Sequence, residues 1–456
     1  MSILSNALSG SNAAQAALNT TSQNIANLQT KGYTRQGVLL NAVAPGIGMQ
    51  TAGMGVEIGG LLRFSDSYKN QQMWRAASDL GSHSQTQPYL SQMERVMGDD
   101  KSSLSNGVDE FFKALNAAGV DPTSTPLRQQ VVTAANSMSQ HFNSIYNVTA
   151  NQRLSVRQQR DALLPAMNQN MANIAALNER IAGASAVGTN TSALIDERDM
   201  AIDTLASMVA IEVIDQPDGS RSVSLRTGQP LVVGNLAGNI FVDGSSGAPV
   251  LSLSFGQTKF ALDDTKVGGQ MGGLSDYDKN ILVPLQTSIR DMAEQMADAL
   301  NTQLQKGFDT AGNPGKALFA FNATSTTGML QIDPAFQASD LAFSADTTPG
   351  DSANLQLLIG IKNQPVTLTS IGSVLLGDAD TQLVGKLGID SQQNQALLKT
   401  ATTIRQQSED DWKSTSGVNQ DEEAINLVEF QNMYQANMKV IAVANTLFDA
   451  TLAMFN

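Results

Sequence analysis

Residues 419–456, NQDEEAINLVEFQNMYQANMKVIAVANTLFDATLAMFN, constrain this chain more than any other stretch. Leu427, Tyr434, Ile441, Phe448 and Phe455 recur every seven residues, with Ala424, Met438 and Leu452 on a line displaced by four. That spacing predicts one continuous helix with an apolar seam, and a seam of this kind requires a partner. The start of the helix is also marked. Asn419 precedes Glu422 by the three residues of a capping box, and Asp421, Glu422 and Glu423 put negative charge at the positive end of the helix dipole.

The natural partner is the other end of the chain. Residues 2–28 read as a helix with Leu4, Leu18 and Ile25 on one seven-spaced line and Ala7, Ala14 and Leu28 beside it. Gly32 can end that helix before the chain turns extended, and the Gly-rich stretch 45–60 reads as a loop passing into alternation at Val56 and Ile58. Helix returns over 66–118, interrupted near Pro88 and Gly98, and again over 126–182, with a kink expected at Pro165. A third amphipathic segment covers 191–208. From Val209 the period changes to two, with turns at QPDGS (216–220) and DGSSG (243–247), which predicts a β insert. Helix follows at 276–306, short strands at 320–350 are expected to close the insert, and 374–410 is again helical.

The resulting expectation is a multidomain α plus β protein. Its N- and C-terminal parts form an elongated long-helix bundle or coiled coil, and a mainly β domain is inserted between them. The expected division is an axial helix and loop at 1–60, a long-helical core at 61–208, and a β domain at 209–275 plus 315–350. The helical core continues at 276–314 and 370–418, and a C-terminal axial helix occupies 419–456.

Chemistry is sparsely represented. Charged residues make up only 15% of the chain and the formal charge is −14, which opposes binding to nucleic acid or to an anionic membrane surface. There is no cysteine, which excludes disulfides, thiolate metal sites and thiol nucleophiles. His83 and His141 lack metal-ligand spacing and read as structural, and neither a nucleophile elbow nor a phosphate-binding loop occurs. GGQMGG at 268–273 reads as a flexible junction rather than a dinucleotide fingerprint, and IDERD at 195–199 as ordinary surface charge. No catalytic, cofactor or metal residues are assigned, and the chain is expected not to be an enzyme. The first residues lack a basic region followed by an apolar core, so no cleaved secretory signal is expected, and no apolar run is long enough for a membrane anchor.

Both ends carry a resemblance. Asn27, Thr30, Gly32, Tyr33 and Arg35 match the N-x-x-T-x-G-Y-x-R core found near the N-terminus of flagellar rod, hook and hook-associated proteins. The stretch SGVNQDEEAINLVEFQNMYQANMKV resembles the matching C-terminal motif, with Gly417, Val418, Asn419, Asp421, Glu422, Glu423, Phe430, Gln431, Tyr434 and Ala436 in register. ALIDERDMAIDTLASMVAIEV (193–213) and the stretch from Met271 through NTQLQKGFDTAGNPGKALF (271–319) resemble internal segments of the hook-associated branch. The resemblance implies a secreted structural adaptor at the junction of hook and filament, exported unfolded through the flagellar type III pathway. Its implied partners are other copies of itself in a ring of about eleven, the hook protein, the next hook-associated protein and an export chaperone. Asn27, Thr30, Gly32, Tyr33 and Arg35 are then the N-terminal assembly candidates. Leu427, Phe430, Tyr434, Ile441, Phe448, Leu452 and Phe455 are candidates for assembly or chaperone capture. A hook or distal-rod protein of the same family is the nearest alternative, and an adhesin acting through the β insert is an alternative from another class.

Overall fold

The computed structural model describes residues 2–44, 53–101, 103–245, 249–325, 328–348 and 350–454. The chain forms two compact units, one from Met1–Asp79, Pro165–Ala261 and Thr402–Asn456, the other from Leu80–Leu164 and Leu262–Ala401. In chain order the elements begin with α1 (Ser2–Ala26), β1 (Gln36–Ala42), β2 (Val56–Arg63), α2 (Ser67–Met97), α3 (Leu104–Ala118), α4 (Thr125–Ala186) and α5 (Ser192–Met208). Then come β3 (Ile211–Asp215), β4 (Arg221–Leu225), β5 (Pro230–Val233), β6 (Leu236–Ala237), β7 (Asn239–Asp243), β8 (Val250–Phe255) and β9 (Thr258–Ala261). The remainder is α6 (Gly269–Asp276), α7 (Val283–Leu304), β10 (Phe319–Phe321), β11 (Leu330–Ile332), α8 (Ala353–Gly360), β12 (Pro365–Leu368), β13 (Gly372–Leu375), α9 (Ala379–Ser416) and α10 (Gln420–Ala453). Long helices at both ends around a middle with several β-sheets are the α plus β class expected from the sequence.

The first unit contains the terminal helices and the insert together. α1 and α10 pair antiparallel, and no other two elements contact as extensively among the described residues. The β1–β2 hairpin follows α1, with a register shift between Leu39 and Leu40. Strands β3 to β6 form one antiparallel sheet and β7 to β9 another. The last turns of α4 hold both. Asn168 exchanges hydrogen bonds of 2.8 and 2.9 Å with the backbone of Ile240, and Asn178 donates to the carbonyls of Arg221 and Gly234 at 2.8 Å while accepting from Arg221 N. An amide side chain standing in for a neighbouring strand satisfies buried backbone groups that would otherwise be costly.

The second unit is built on α3, α6, α7, α8 and long stretches of α2, α4 and α9. Phe111 meets Phe112 and Phe319 edge-on at 5.4 and 6.0 Å, and Arg128 lies over Phe343 while donating to Leu341 O at 2.7 Å. Both histidines are structural here: His83 Nδ1 pairs with Asn394 Oδ1 at 2.8 Å, and His141 Nδ1 with Ser103 O at 2.9 Å.

Several expectations are corrected. α2 runs through Pro88 without a break, because its apolar face at Leu90, Met93 and Met97 is fully buried and holds the helix past one missing hydrogen bond. α4, by contrast, is the single long helix the sequence predicts, with Pro165 inside it where the division between the two units falls. The glycines of 268–273 are not a flexible junction. They open α6, and a Cβ on Gly273 would stand 2.5 Å from Ser82 O, so glycine serves close packing there. The 315–350 stretch does not complete the insert, since β10 pairs only with β11, and β12 with β13 forms a further separate hairpin. The turn expected at 243–247 lies partly outside the described residues.

Candidate assembly site at the paired ends

The site begins at the end of α1, where the chain must reverse. Thr30 N donates to Asn27 O at 2.9 Å, Thr30 Oγ1 to Asn27 Oδ1 at 3.1 Å, and Tyr33 N to Thr30 O at 3.2 Å. Asn27 and Thr30 therefore build the turn itself. Gly32 completes it at φ +79°, in the left-handed region.

Beyond Gly32 the motif faces inward. The Tyr33 hydroxyl donates to Asn24 Oδ1 at 2.9 Å, and Asn24, buried in α1, also donates to Gln36 O and accepts from Gln36 N. Asn24 thus pins the start of β1 to the helix before it, a role the heptad pattern does not reveal. Arg35 reaches the opposite end of the chain: its guanidinium pairs with Glu422, its N–H donates to Ser416 O at 2.8 Å, and it lies 4.5 Å over the Phe64 ring. Asn419 caps α10 as expected, accepting from Asp421 N and Glu422 N. The Glu422 side chain does not close the capping box but crosses to Arg35.

Burial, then the carboxylates of Asp196 and Glu423, push the Tyr33 phenol up to about 12. A folded value above the ordinary phenol value means that the protonated form is bound more tightly by the native state. This contribution is complete below pH ~10 and is lost as the pH rises toward ~12. Tyr33→Phe is therefore expected to flatten the alkaline unfolding limb between those values, as read by circular dichroism against pH, and to remove a late-titrating phenolate absorbance. An unchanged limb would mean that Tyr33 is as exposed as a free tyrosine.

Behind the motif lies a buried ionic cluster. Thr34 N donates to Asp196 Oδ2 at 3.1 Å, and Arg63 from the end of β2 reaches Asp196 at 2.7 Å, Asp199 at 3.1 Å and Thr34 Oγ1 at 2.9 Å. Arg221 of β4 pairs with Asp199 and Asp215, and Arg198 donates to Asn178 and Gly219 O. Burial is the largest influence on Asp196 and raises its carboxyl above the ordinary range against the pull of Arg63; burial first, then Arg221, draws the Arg198 guanidinium down to about 10. IDERD is thus a buried junction between the motif loop, α5 and the insert, not ordinary surface charge. Its sequence signal was available: Asp199 precedes the buried Ile202 and Ala206 by three and seven residues, so one carboxylate sits on the core face.

The predicted stripe lies only in part on the face of α10 turned to α1. α1 buries Ala7, Gly10, Ala14, Ala17 and Thr21, and α10 answers with Glu423, Asn426, Phe430, Met433, Asn437 and Ala444. A Cβ on Gly10 would stand 2.6 Å from Asn437 Oδ1, so the small residues of α1 admit the larger side chains of α10 at close range. Large side chains on the α1 side as well would force them apart. Tyr434 and Ile441 are half-buried at the flank, while Leu427, Phe448 and Leu452 are exposed, as are Leu4 and Ile25 on α1. Phe455 lies outside the described residues. Phe430 helps line a 270 Å³ hollow with Ala17, Thr20 and Gly37.

A larger cavity of 520 Å³ opens beneath the motif loop. Its walls come from 27–33, α2, α5, the end of α9 and Gly417–Val418. Arg405 crosses it, held bidentate by Asp203 at 2.7 and 2.8 Å and by Glu409 at 2.8 Å. Among the described residues no group of three or more His, Asp or Glu is placed to hold a metal ion, and no helix is long and apolar enough to cross a membrane.

Comparison with known proteins gives a consistent set of similarities. A family profile described as "Flagellar hook-associated protein FlgK helical domain" matches residues 90–319. "Flagella basal body rod protein" matches 4–34, and "Flagellar basal body rod FlgEFG protein C-terminal" matches 414–454. The chain is 26% identical to flagellar hook-associated protein 1 of Salmonella typhimurium, with 99% of each chain covered. It is also 26% identical to the Bacillus subtilis protein of that name, covering 96% of this chain and 95% of the other. The solved flagellar hook junction protein FlgK from Burkholderia pseudomallei superposes with a TM-score of 0.66 at 17% identity, over 75% of this chain and 100% of that one.

Proposed function

The chain belongs to the FlgK family of flagellar hook-associated proteins, structural components of the hook–filament junction, and on that premise we propose that its paired ends are the polymerising element. The match over 90–319 separates it from rod and hook proteins, whose profiles match only the ends. Members of this axial family join other flagellar components. The finer reading is a ring of about eleven copies between the hook protein and the next hook-associated protein. It includes unfolded export through the type III pathway, with a chaperone covering α10 before secretion. The role is structural rather than enzymatic, and residues 1–60 with 419–456 form its axial part.

One observation supports this most directly. α1 turns its small residues to α10, and the pair leaves Leu427, Phe448, Leu452, Leu4 and Ile25 facing outward. Solvent-facing apolar residues in such a row are costly in an isolated chain and mark a surface to be covered. Asn27, Thr30, Gly32, Tyr33 and Arg35 in this reading set the angle at which the pair leaves the rest of its unit.

The test is a chain truncated after Gln420. It is expected to keep the hydrogen-exchange protection of the second unit, yet to be lost from isolated hooks and to leave cells without filaments. A truncated chain that still supported a stable junction and a filament would remove the proposed role of α10.

A further inference from the structure

The cavity beneath the motif loop leaves a buried donor unanswered. Asn70 is 2% exposed, lines the cavity, and its Nδ2 has no acceptor. An amide group held out of water and unpaired is destabilising, so the site calls for an acceptor brought from outside. The walls are otherwise apolar, from Leu28, Met73, Met200, Trp412 and Val418. Thioether side chains repack readily around what enters between them. A volume of 520 Å³ falls within the range of small-molecule sites, which combine such walls with a few placed polar groups.

Charge decides what the acceptor is. Arg63 and Arg405 line the cavity, but Asp196 and Asp199 hold the first, and Asp203 and Glu409 the second. Neither guanidinium is free, and an anion placed among them would face Asp199, Asp203 and Glu409. A neutral carbonyl is therefore the acceptor that suits Asn70. Lys31 and Lys413 differ from the arginines. They line the same cavity, are exposed, and have no ion-pair partner among the described residues. In a chain of net charge −14 they make a local excess of positive charge, and their exposure puts it at the cavity mouth. The anionic part of a ligand belongs there.

We propose that this cavity binds an acylated amino acid. The acyl chain lies against Met73, Met200 and Trp412, the neutral amide carbonyl accepts from Asn70 Nδ2, and the carboxylate meets Lys31 and Lys413. A plain fatty acid lacks the neutral carbonyl, and a long-chain amine has the wrong charge for the mouth. The site goes beyond the structural role and does not depend on how copies assemble. Leu28, Gly32 and Tyr33 belong to its wall, so a bound ligand steadies the turn between α1 and β1.

The test uses the purified full-length chain and N-decanoylglycine below its micelle concentration. Binding is read by calorimetry, by fluorescence of Trp412, the one of the two tryptophans that lines the cavity, and by amide exchange over 27–33. Saturable binding with slower exchange at 27–33 is expected. N-octanoylglycine should bind roughly tenfold more weakly, because two fewer methylenes are buried. Asn70→Leu is expected to weaken N-decanoylglycine about tenfold while the urea midpoint of the empty chain stays equal or rises, since an unpaired donor is removed. A merely structural asparagine would lower that midpoint without changing the affinity. Lys31→Glu with Lys413→Glu is expected to weaken the probe roughly three- to tenfold and to leave its methyl ester unaffected. No binding of either acylglycine, equal affinity for decanoate or decylamine, or unchanged affinity in Asn70→Leu overturns the proposal. So does protection of 27–33 that appears only with another flagellar protein, which would make the cavity a protein docking site.

Discussion

Arg63→Met is expected to destabilise the first unit by about 3 kcal/mol, because it leaves a buried carboxylate without its cation. Asp196 is buried, and the cation it keeps company with comes from the end of β2, 133 residues earlier in the chain. Burial already raises its carboxyl with Arg63 in place, so removing Arg63 leaves Thr34 N as its remaining hydrogen-bond donor in this cluster. The same guanidinium also holds Asp199 and Thr34 Oγ1, so the loss spreads to the loop between Gly32 and β1. Faster amide exchange at Thr34 and Arg35 should accompany a lower urea midpoint. Combining Arg63→Met with Asp196→Asn removes both charges and is expected to recover roughly half of the loss, since much of the penalty for breaking a buried pair lies in the stranded partner. Equal stability of the single and double variants would mean that solvent reaches Asp196 and that the cluster does not hold the loop.

What the sequence made legible was local, and what it concealed was non-local. The Asn419 cap, the end of α1 and the change of period at Val209 all depend on neighbours within a few residues, and each was read from spacing. The Leu427–Phe448 stripe reads as a helix and α1 is its partner, as the sequence suggests, but only Tyr434 and Ile441 of the stripe are half-buried. A heptad reading gives weight to large side chains, whereas two antiparallel helices of one chain approach most closely through Ala, Gly and Thr. The large residues Leu427, Phe448 and Leu452 are left exposed. In the IDERD cluster the spacing of Asp199 to Ile202 and Ala206 marks a core-facing carboxylate, but the cations, Arg63 and Arg221, come from separate strands, and no periodicity within α5 announces them. Asn24 is not legible because a buried asparagine serving both backbone groups of Gln36 looks, in a string of letters, like one more polar residue on a helix. The glycines at 268–273 show the same limit from the opposite side. Their spacing suggested freedom, and their neighbours impose contact.

Gly32→Ala is expected to cost about 3 kcal/mol and to impair assembly, and two separable effects contribute. The first is conformational: at φ +79° an L side chain is strained by roughly 1–2 kcal/mol. The second is steric. A Cβ at this position would stand 2.5 Å from Met200 Cγ and 2.6 Å from Met200 Sδ, inside contact distance. Met200 is a flexible side chain, but its partial retreat would alter the wall of the cavity under the motif loop. Two backgrounds, native and Met200→Ala, separate the two contributions by urea midpoint and amide exchange over 27–36. In Met200→Ala the overlap is relieved, and Gly32→Ala is expected to retain only the conformational cost. Gly32→Asn, whose side chain tolerates the left-handed region, should in that background approach the stability of glycine, while alone it keeps the clash. If Gly32→Ala costs only a few tenths of a kcal/mol in the native background, the loop is free to rearrange. In that case the direction in which α1 and α10 leave their unit is not set at Gly32, and the burden of fixing it passes to the Arg35–Glu422 pair and the Asn24 bonds on either side.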